Sequence, residues 1–326
     1  MSCLFFNMKK IAVIYMGGTF GCIGEPLQPM PAADFLICLQ SLELQQADTI
    51  HFFAAPSIKD STELNAADWL LLAQYIQNLS AEFTHFLIIH GTDTLSYASA
   101  FLHHLFKTQL RIILTGSQQP LLNKEGNQLL ENSDAWANLN HALNNTLNCP
   151  KGVYLAFNHQ LHPANESYKQ HTESFNAFLS NEESITQNYL KHEIQISDAF
   201  IEKSHSIRFL NLYITPSHAD QLTIELHHLL KDPPHILVLQ GFGSGNLPYS
   251  LELERILKEL INKGVWVIIS TQVLFGTLAQ KYATGSWLNN INLVFDPHFS
   301  QADLYARATL LYLQYGHQKN WQQYWA

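Results

Sequence analysis

The sequence predicts an α/β protein of two domains, each a mainly parallel sheet flanked by helices, the N-terminal one larger. Three observations lead there. Short apolar runs alternate with longer amphipathic runs along the chain, the pattern of strands joined by helices in a parallel sheet. The length of 326 residues fits two domains at about 150 residues each. The alternation lapses once, between residues 190 and 207, and then resumes. We therefore expect an N-terminal α/β domain over 1–192, a linker over 193–206 and a smaller, Rossmann-like α/β domain over 207–326.

The first element is "KIAVIYMGG" (10–18), a buried strand ended by two glycines. "HFLIIHG" (85–91), "RIILTGS" (111–117) and "GVYLAFN" (152–158) repeat the theme, apolar and then small and polar. Helices fall between them. "LNAADWLLLAQYIQ" (64–77) has Asn65 placed to cap its start and Asp68 three residues on, a capping-box signal. "ENSDAWANLNHALNN" (131–145) offers Ser133 or Asp134 at a second start, with Trp136, Leu139 and Leu143 at helical spacing. In the second half, "IRFLNLYI" (207–214), "HILVLQGFGSGN" (235–246) and "VWVIISTQ" (265–272) read as strands. A helical run to Leu260 and "ADLYARATLLYLQ" (302–314) supply helices.

Composition narrows the function. Hydrophobic residues make up 47% of the chain, enough for two cores. Eighteen basic residues against 27 acidic ones give a net charge of −9, which argues against nucleic acid and anionic membranes as partners. The 17 histidines are scattered without metal-ligand spacing, so no metal is expected. Cys3, Cys22, Cys38 and Cys149 form no CxxC pair and read as free thiols of a reducing compartment. The N-terminal apolar stretch, Ile11 to Met16, is too short for a signal core or a membrane span. A cytoplasmic protein is expected.

In open α/β sheets, ligands bind where strands end and helices begin. Four such places carry unusual chemistry. After the first strand comes Gly17-Gly18-Thr19-Phe20-Gly21, which matches neither Walker A nor Gly-x-Gly-x-x-Gly. Then come "PSIKDSTEL" (56–64), "HGTDT" (90–94) and "LTGSQQP" (114–120), where Pro120 ends a strand beside Ser117. One hydroxyl suffices to cap a helix. "HGTDT" has Thr92, Asp93 and Thr94 in a row, so capping leaves two side chains for other work; Thr94 is assigned to the cap and His90 to structure.

"GGTFG", "DSTEL", "HGTDT", "LTGSQQP" and "SDAWANL" occur here in the order seen in bacterial-type L-asparaginases. The chain resembles that family, its cytoplasmic (type I) branch in particular, and "GFGSGNLP", "STQ" and "YATG" extend the likeness into the second half. The resemblance implies hydrolysis of L-asparagine to L-aspartate and ammonia through a covalent acyl-enzyme, without a cofactor. It makes Thr19 the nucleophile and Thr92, Asp93 and Lys169 its catalytic partners. Lys169 follows because "FNHQLHPANESYKQHTESFNAF" (157–178) aligns without gaps with the family's lysine segment. The resemblance also implies substrate contacts from Gly18, Asp60, Ser61, Thr62, Gly91 and Ser117. Asn246 is implied to reach a neighbouring subunit's site, in a dimer or tetramer.

The chemistry is coherent by itself. A threonine hydroxyl needs a base to attack an amide, and a lysine oriented by an aspartate can relay protons. Backbone N–H groups at Gly91–Thr92 can hold the oxyanion. One departure stands out: where the family has a flap tyrosine that bonds the nucleophile, this chain has Leu27. Cys22 on that flap has no basic neighbour in sequence and reads as inert. The missing tyrosine keeps open a catalytically impaired amino-acid-binding or sensing protein. The ammonia-supplying subunit of a tRNA-dependent amidotransferase is the other alternative, one that brings an extra N-terminal domain.

Overall fold

The computed structural model describes residues 9–44, 49–181, 189–276, 278, 283–296, 300–316, 318 and 320–325. The chain divides into two compact units, Met1–Tyr189 with Gln195–Ile201, and Leu190–Ile194 with Glu202–Ala326.

The first unit runs β1 (Ile11–Tyr15), a small hairpin of β2 (Cys22–Ile23) and β3 (Gln28–Pro29), α1 (Ala32–Ser41), β4 (Ile50–Ala54), α2 (Ala66–Leu79), β5 (His85–Ile89) and α3 (Leu95–Phe106). It continues through β6 (Arg111–Thr115), α4 (Ala135–Asn148), β7 (Gly152–Phe157), β8 (Gln160–Pro163) and the hairpin β9 (Ser167–Lys169)–β10 (Phe178–Ser180). Strand order is β4-β1-β5-β6-β7-β8, parallel except for the β7–β8 hairpin. From β1 the chain steps outward to β4, then returns past β1 to β5 and continues the other way. Strand order thus reverses between β1 and β5, where a crevice forms at the carboxyl ends.

Successive strand side chains point to opposite faces, and both faces are buried. Val13, Tyr15, Leu87, Ile89 and Ile113 pack with Phe35 and Leu39 of α1 and Leu139 and Ala142 of α4. The alternate residues Ala12, Ile14, Phe86, Ile88, Ile112 and Leu114 are equally buried. α2 begins as expected: Asn65 Oδ1 accepts from Ala67 N at 2.9 Å and Asp68 Oδ2 from Asn65 N at 3.0 Å. At α4 the cap is Ser133, whose Oγ accepts from Ala135 N at 3.1 Å, while the Asp134 carboxylate turns inward.

The stretch read as a linker, 193–206, differs from expectation. It contains α5 (Asp198–Ser204), and residues 190–194 group with the second unit before 195–201 return to the first. Polar spacing along this stretch hid a short helix.

The second unit contains β11 (Phe209–Tyr213), α6 (Ala219–Leu229), β12 (Ile236–Gly241), α7 (Leu251–Asn262), β13 (Trp266–Thr271), β14 (Val294–Phe295) and α8 (Gln301–Tyr315). Its parallel sheet has order β11-β12-β13-β14. On α7, Leu253, Ile256, Leu257 and Leu260 recur at the i, i+3, i+4, i+7 spacing of one helix face, and all four are buried against Leu239, Val267 and Ile269. Among the described residues Cys22, Cys38 and Cys149 are free thiols, and Cys3 lies outside them. No helix among the described residues is long and apolar enough to cross a membrane.

Candidate active site

Two glycines bring the ends of β1 and β5 together. Gly18 has φ 87° and ψ 178°, a conformation essentially reserved for glycine. A Cβ on Gly18 would lie 2.3 Å from Gly91 Cα, and one on Gly91 would lie 2.6 Å from Ser61 Oγ. The loops after β1 and β5 therefore meet backbone on backbone, and the Ser61 side chain of the loop before α2 packs against Gly91. Thr19 and Thr92 are the next residues along from this contact, one on each side of the switch point. Thr19 opens a 3-10 turn, Thr19–Gly21, is half-buried, and its hydroxyl bonds no described residue.

A third element brings the cation. Lys169 ends β9, and its Nζ donates to Thr92 Oγ1 at 2.9 Å and to Asp93 Oδ1 at 2.6 Å. The Lys169 side chain is 22% exposed and that of Asp93 55%. The segment after Lys169 is fastened by Gln118, whose amide donates to Thr172 O at 2.9 Å and Ser174 O at 3.2 Å. The same Gln118 accepts from Thr92 Oγ1 through Oε1 at 3.4 Å. Asp134 fixes Gln118 in turn: its carboxylate accepts from Gln118 N and Gln119 N and from the amide of Asn138. Burial pushes the Asp134 carboxyl above its ordinary range, and those donors oppose the rise.

The loop before α2 is held from both sides. Asp60 caps its 3-10 turn, accepting from Thr62 N at 2.8 Å and Thr62 Oγ1 at 2.6 Å, and the two bonds hold its carboxyl below the usual range. Lys59 Nζ and Ser57 Oγ both donate to Asp68, at 2.8 and 2.5 Å, so the capping box of α2 also anchors the loop. Thr94 stands at the N-cap position of α3, where its carbonyl accepts from Ala98 N but its side chain makes no capping bond. The helix starts where expected, but the hydroxyl reaches to Ser61 O at 2.7 Å and not to the helix, which corrects only the capping bond expected of it. Thr94→Val is expected to raise KM roughly fivefold, the value of about 1 kcal/mol for one hydrogen bond. The turnover number should stay within threefold, and steady-state kinetics check both.

Residues 10–201 match the family model described as "Asparaginase, N-terminal", and residues 212–324 that described as "Glutaminase/Asparaginase C-terminal domain". The chain belongs to the asparaginase family. It is 29% identical over 336 aligned positions to L-asparaginase 1 of Escherichia coli K12, covering 94% of this chain and 91% of that one. It is also 26% identical to a mouse protein named 60 kDa lysophospholipase, over 94% of this chain and 58% of that one. Among solved structures, L-asparaginase I from Vibrio cholerae superposes with a TM-score of 0.75 at 25% identity, covering 97% of this chain and 95% of that one.

Within this asparaginase fold, Gly18, Thr19, Asp60, Ser61, Thr62, Gly91, Thr92, Asp93 and Lys169 all lie on the stacked loops and the β9 strand of the first unit. Ser117 does not offer its hydroxyl to the cluster: it is 1% exposed and donates to Gln119 O at 2.5 Å. Its neighbour Gln118 does the reaching, and sequence reasoning missed it. The doubled glutamine after Ser117, able to donate and accept at once, was the available signal. Asn246 belongs to the second unit, where it closes a turn with Phe242 and its amide meets Ser244 Oγ at 3.4 Å. Leu27 is 53% exposed at the tip of the β2–β3 hairpin. Cys22 donates to Gly18 O at 3.5 Å, and burial foremost, then the Asp60 charge, push its thiol upward. That agrees with an inert thiol.

Proposed function

We propose that the chain hydrolyses L-asparagine to L-aspartate and ammonia by way of an ester on Thr19. The observation that carries this reading is the Lys169 ammonium held between Thr92 Oγ1 and Asp93 Oδ1, beside the Gly18–Gly91 contact that delivers Thr19. Thr19 Oγ1 attacks the side-chain amide carbon, and its proton passes through the Thr92–Lys169 relay to the departing nitrogen. Ammonia leaves, water attacks the ester, and the relay returns the proton to Thr19. The Thr92 N–H stabilises the oxyanion in both steps, an effect of about 3 kcal/mol per donor. The Asp60–Thr62 loop holds the α-amino and α-carboxylate groups, with Asp93 accepting from the ammonium.

A cytoplasmic location and self-association to a dimer or tetramer belong to the same reading, with Asn246 reaching a partner's site. The second reading, an amino-acid-binding protein, is favoured by one observation: Thr19 has no described hydrogen-bond partner and the flap offers Leu27. Ammonia release from L-asparagine and L-glutamine, with Thr19→Ala beside the native chain, separates the two. Turnover by the native chain and none by the variant supports the hydrolase. Tight binding of asparagine without ammonia release supports the binding protein.

A further inference from the structure

We propose that His90, locked by Trp69, is a positioning residue that aims the Thr92 N–H at the reacting carbonyl. The inference rests on the hydrolase reading above.

His90 follows β5 and is fully buried. Both ring nitrogens are engaged. Trp69 Nε1 of α2 lies 3.2 Å from His90 Nε2, and His90 Nδ1 lies 2.8 Å from Gly91 O. An indole N–H only donates and a carbonyl only accepts. Nε2 must therefore present its lone pair and Nδ1 must carry the proton, which selects one neutral tautomer. Burial lowers the histidine's pKa to about 4, so the ring stays neutral near pH 7.

The partner of that proton decides its use. Gly91 O belongs to the 91–92 peptide, whose trans, planar geometry sets C=O and N–H in opposite directions. Holding the carbonyl toward the imidazole therefore turns the Thr92 N–H away from it. That N–H donates to no described residue. The peptide follows a glycine, whose backbone is otherwise the least restrained, and no side chain on Gly91 can steady it. A second constraint comes from the other face, where Gly116 leaves room for His90 O: a Cβ there would lie 2.4 Å from that oxygen. An apolar residue at 90 would fill the core without a polar ring to satisfy. The histidine instead converts a packing contact with α2 into the orientation of one backbone donor.

The test uses Trp69→Phe, which keeps an aromatic ring against Phe101 but removes the N–H, and His90→Leu, which removes the bond to Gly91. Thermal melting establishes that each variant is folded. The expected result is a turnover number lowered about tenfold in Trp69→Phe and about a hundredfold in His90→Leu, with KM for asparagine within threefold in both. Removal of an oxyanion donor outright costs about 10²–10³. Nitrogen-15 NMR of the native chain is expected to show His90 protonated on Nδ1 alone, and a mixed or exchanging tautomer in Trp69→Phe. A purely structural histidine would move the melting temperature but not kcat. Folded variants with native kcat, or a native His90 protonated on Nε2, overturn the inference while Thr19→Ala remains inactive. Absence of turnover by the native chain overturns both this inference and the hydrolase reading.

Discussion

Lys169→Met is expected to lower kcat for asparagine hydrolysis about a thousandfold, within the usual contribution of a positioned proton donor and acceptor. The ammonium contacts both Thr92 Oγ1 and Asp93 Oδ1, so methionine leaves the hydroxyl without its proton partner and the carboxylate without its counter-charge. Stability should hardly respond. With Asp93 55% exposed, the ion pair is worth about 0–1 kcal/mol, and its loss moves the melting temperature by a few degrees, ~4 °C or less. Stopped-assay ammonia measurement and a thermal melt check the two halves. A variant that melts like the native chain and still turns over would remove Lys169 from the mechanism.

Gly18→Ala is expected to damage both folding and activity. Two costs add. The φ of 87° with ψ of 178° penalises any side chain by about 1–3 kcal/mol. The new methyl would also meet Gly91 Cα at 2.3 Å and Gly91 N at 2.6 Å, backbone atoms that cannot swing aside. The β1 and β5 ends must then separate, carrying Thr19 away from Thr92. A displacement of about 1 Å at a reacting group costs about a hundredfold in rate. We expect kcat to fall at least that far and the melting transition to drop measurably. Denaturant unfolding beside steady-state kinetics tests both.

Strand ends followed by glycine or small polar residues made the fold readable, because each such end marks the side of a parallel sheet where loops gather. β1, β5, β6 and β7 are apolar on both faces and were found directly. β4 was not: at the sheet edge, "IHFFA" is broken by the exposed His51, and Ile50 alone among its five residues is buried. The short β8, β9 and β10 were missed because hairpins of three or four residues carry no period. Lys169 was placed by its resemblance to the family segment, and its contacts with Thr92 and Asp93 depend on this unseen β9–β10 hairpin.

The site was legible where one residue type has one use. Asn65 and Asp68 formed the capping box that their spacing indicated. Thr94 was not legible, since capping and long-range bonding to Ser61 O require the same hydroxyl at the same position. Gln118 and Asp134 were hidden for a similar reason: their roles lie in a three-dimensional chain of bonds from Asp134 through Gln118 to Thr92 that no spacing records.

The most direct test of the account is the identity of the esterified side chain. The native chain mixed with excess L-asparagine, acid-quenched within milliseconds and digested, should carry a β-aspartyl adduct on Thr19 when peptides are mapped by mass spectrometry. An adduct on Thr92 or another residue, or steady ammonia release by Thr19→Ala, would contradict the central claim.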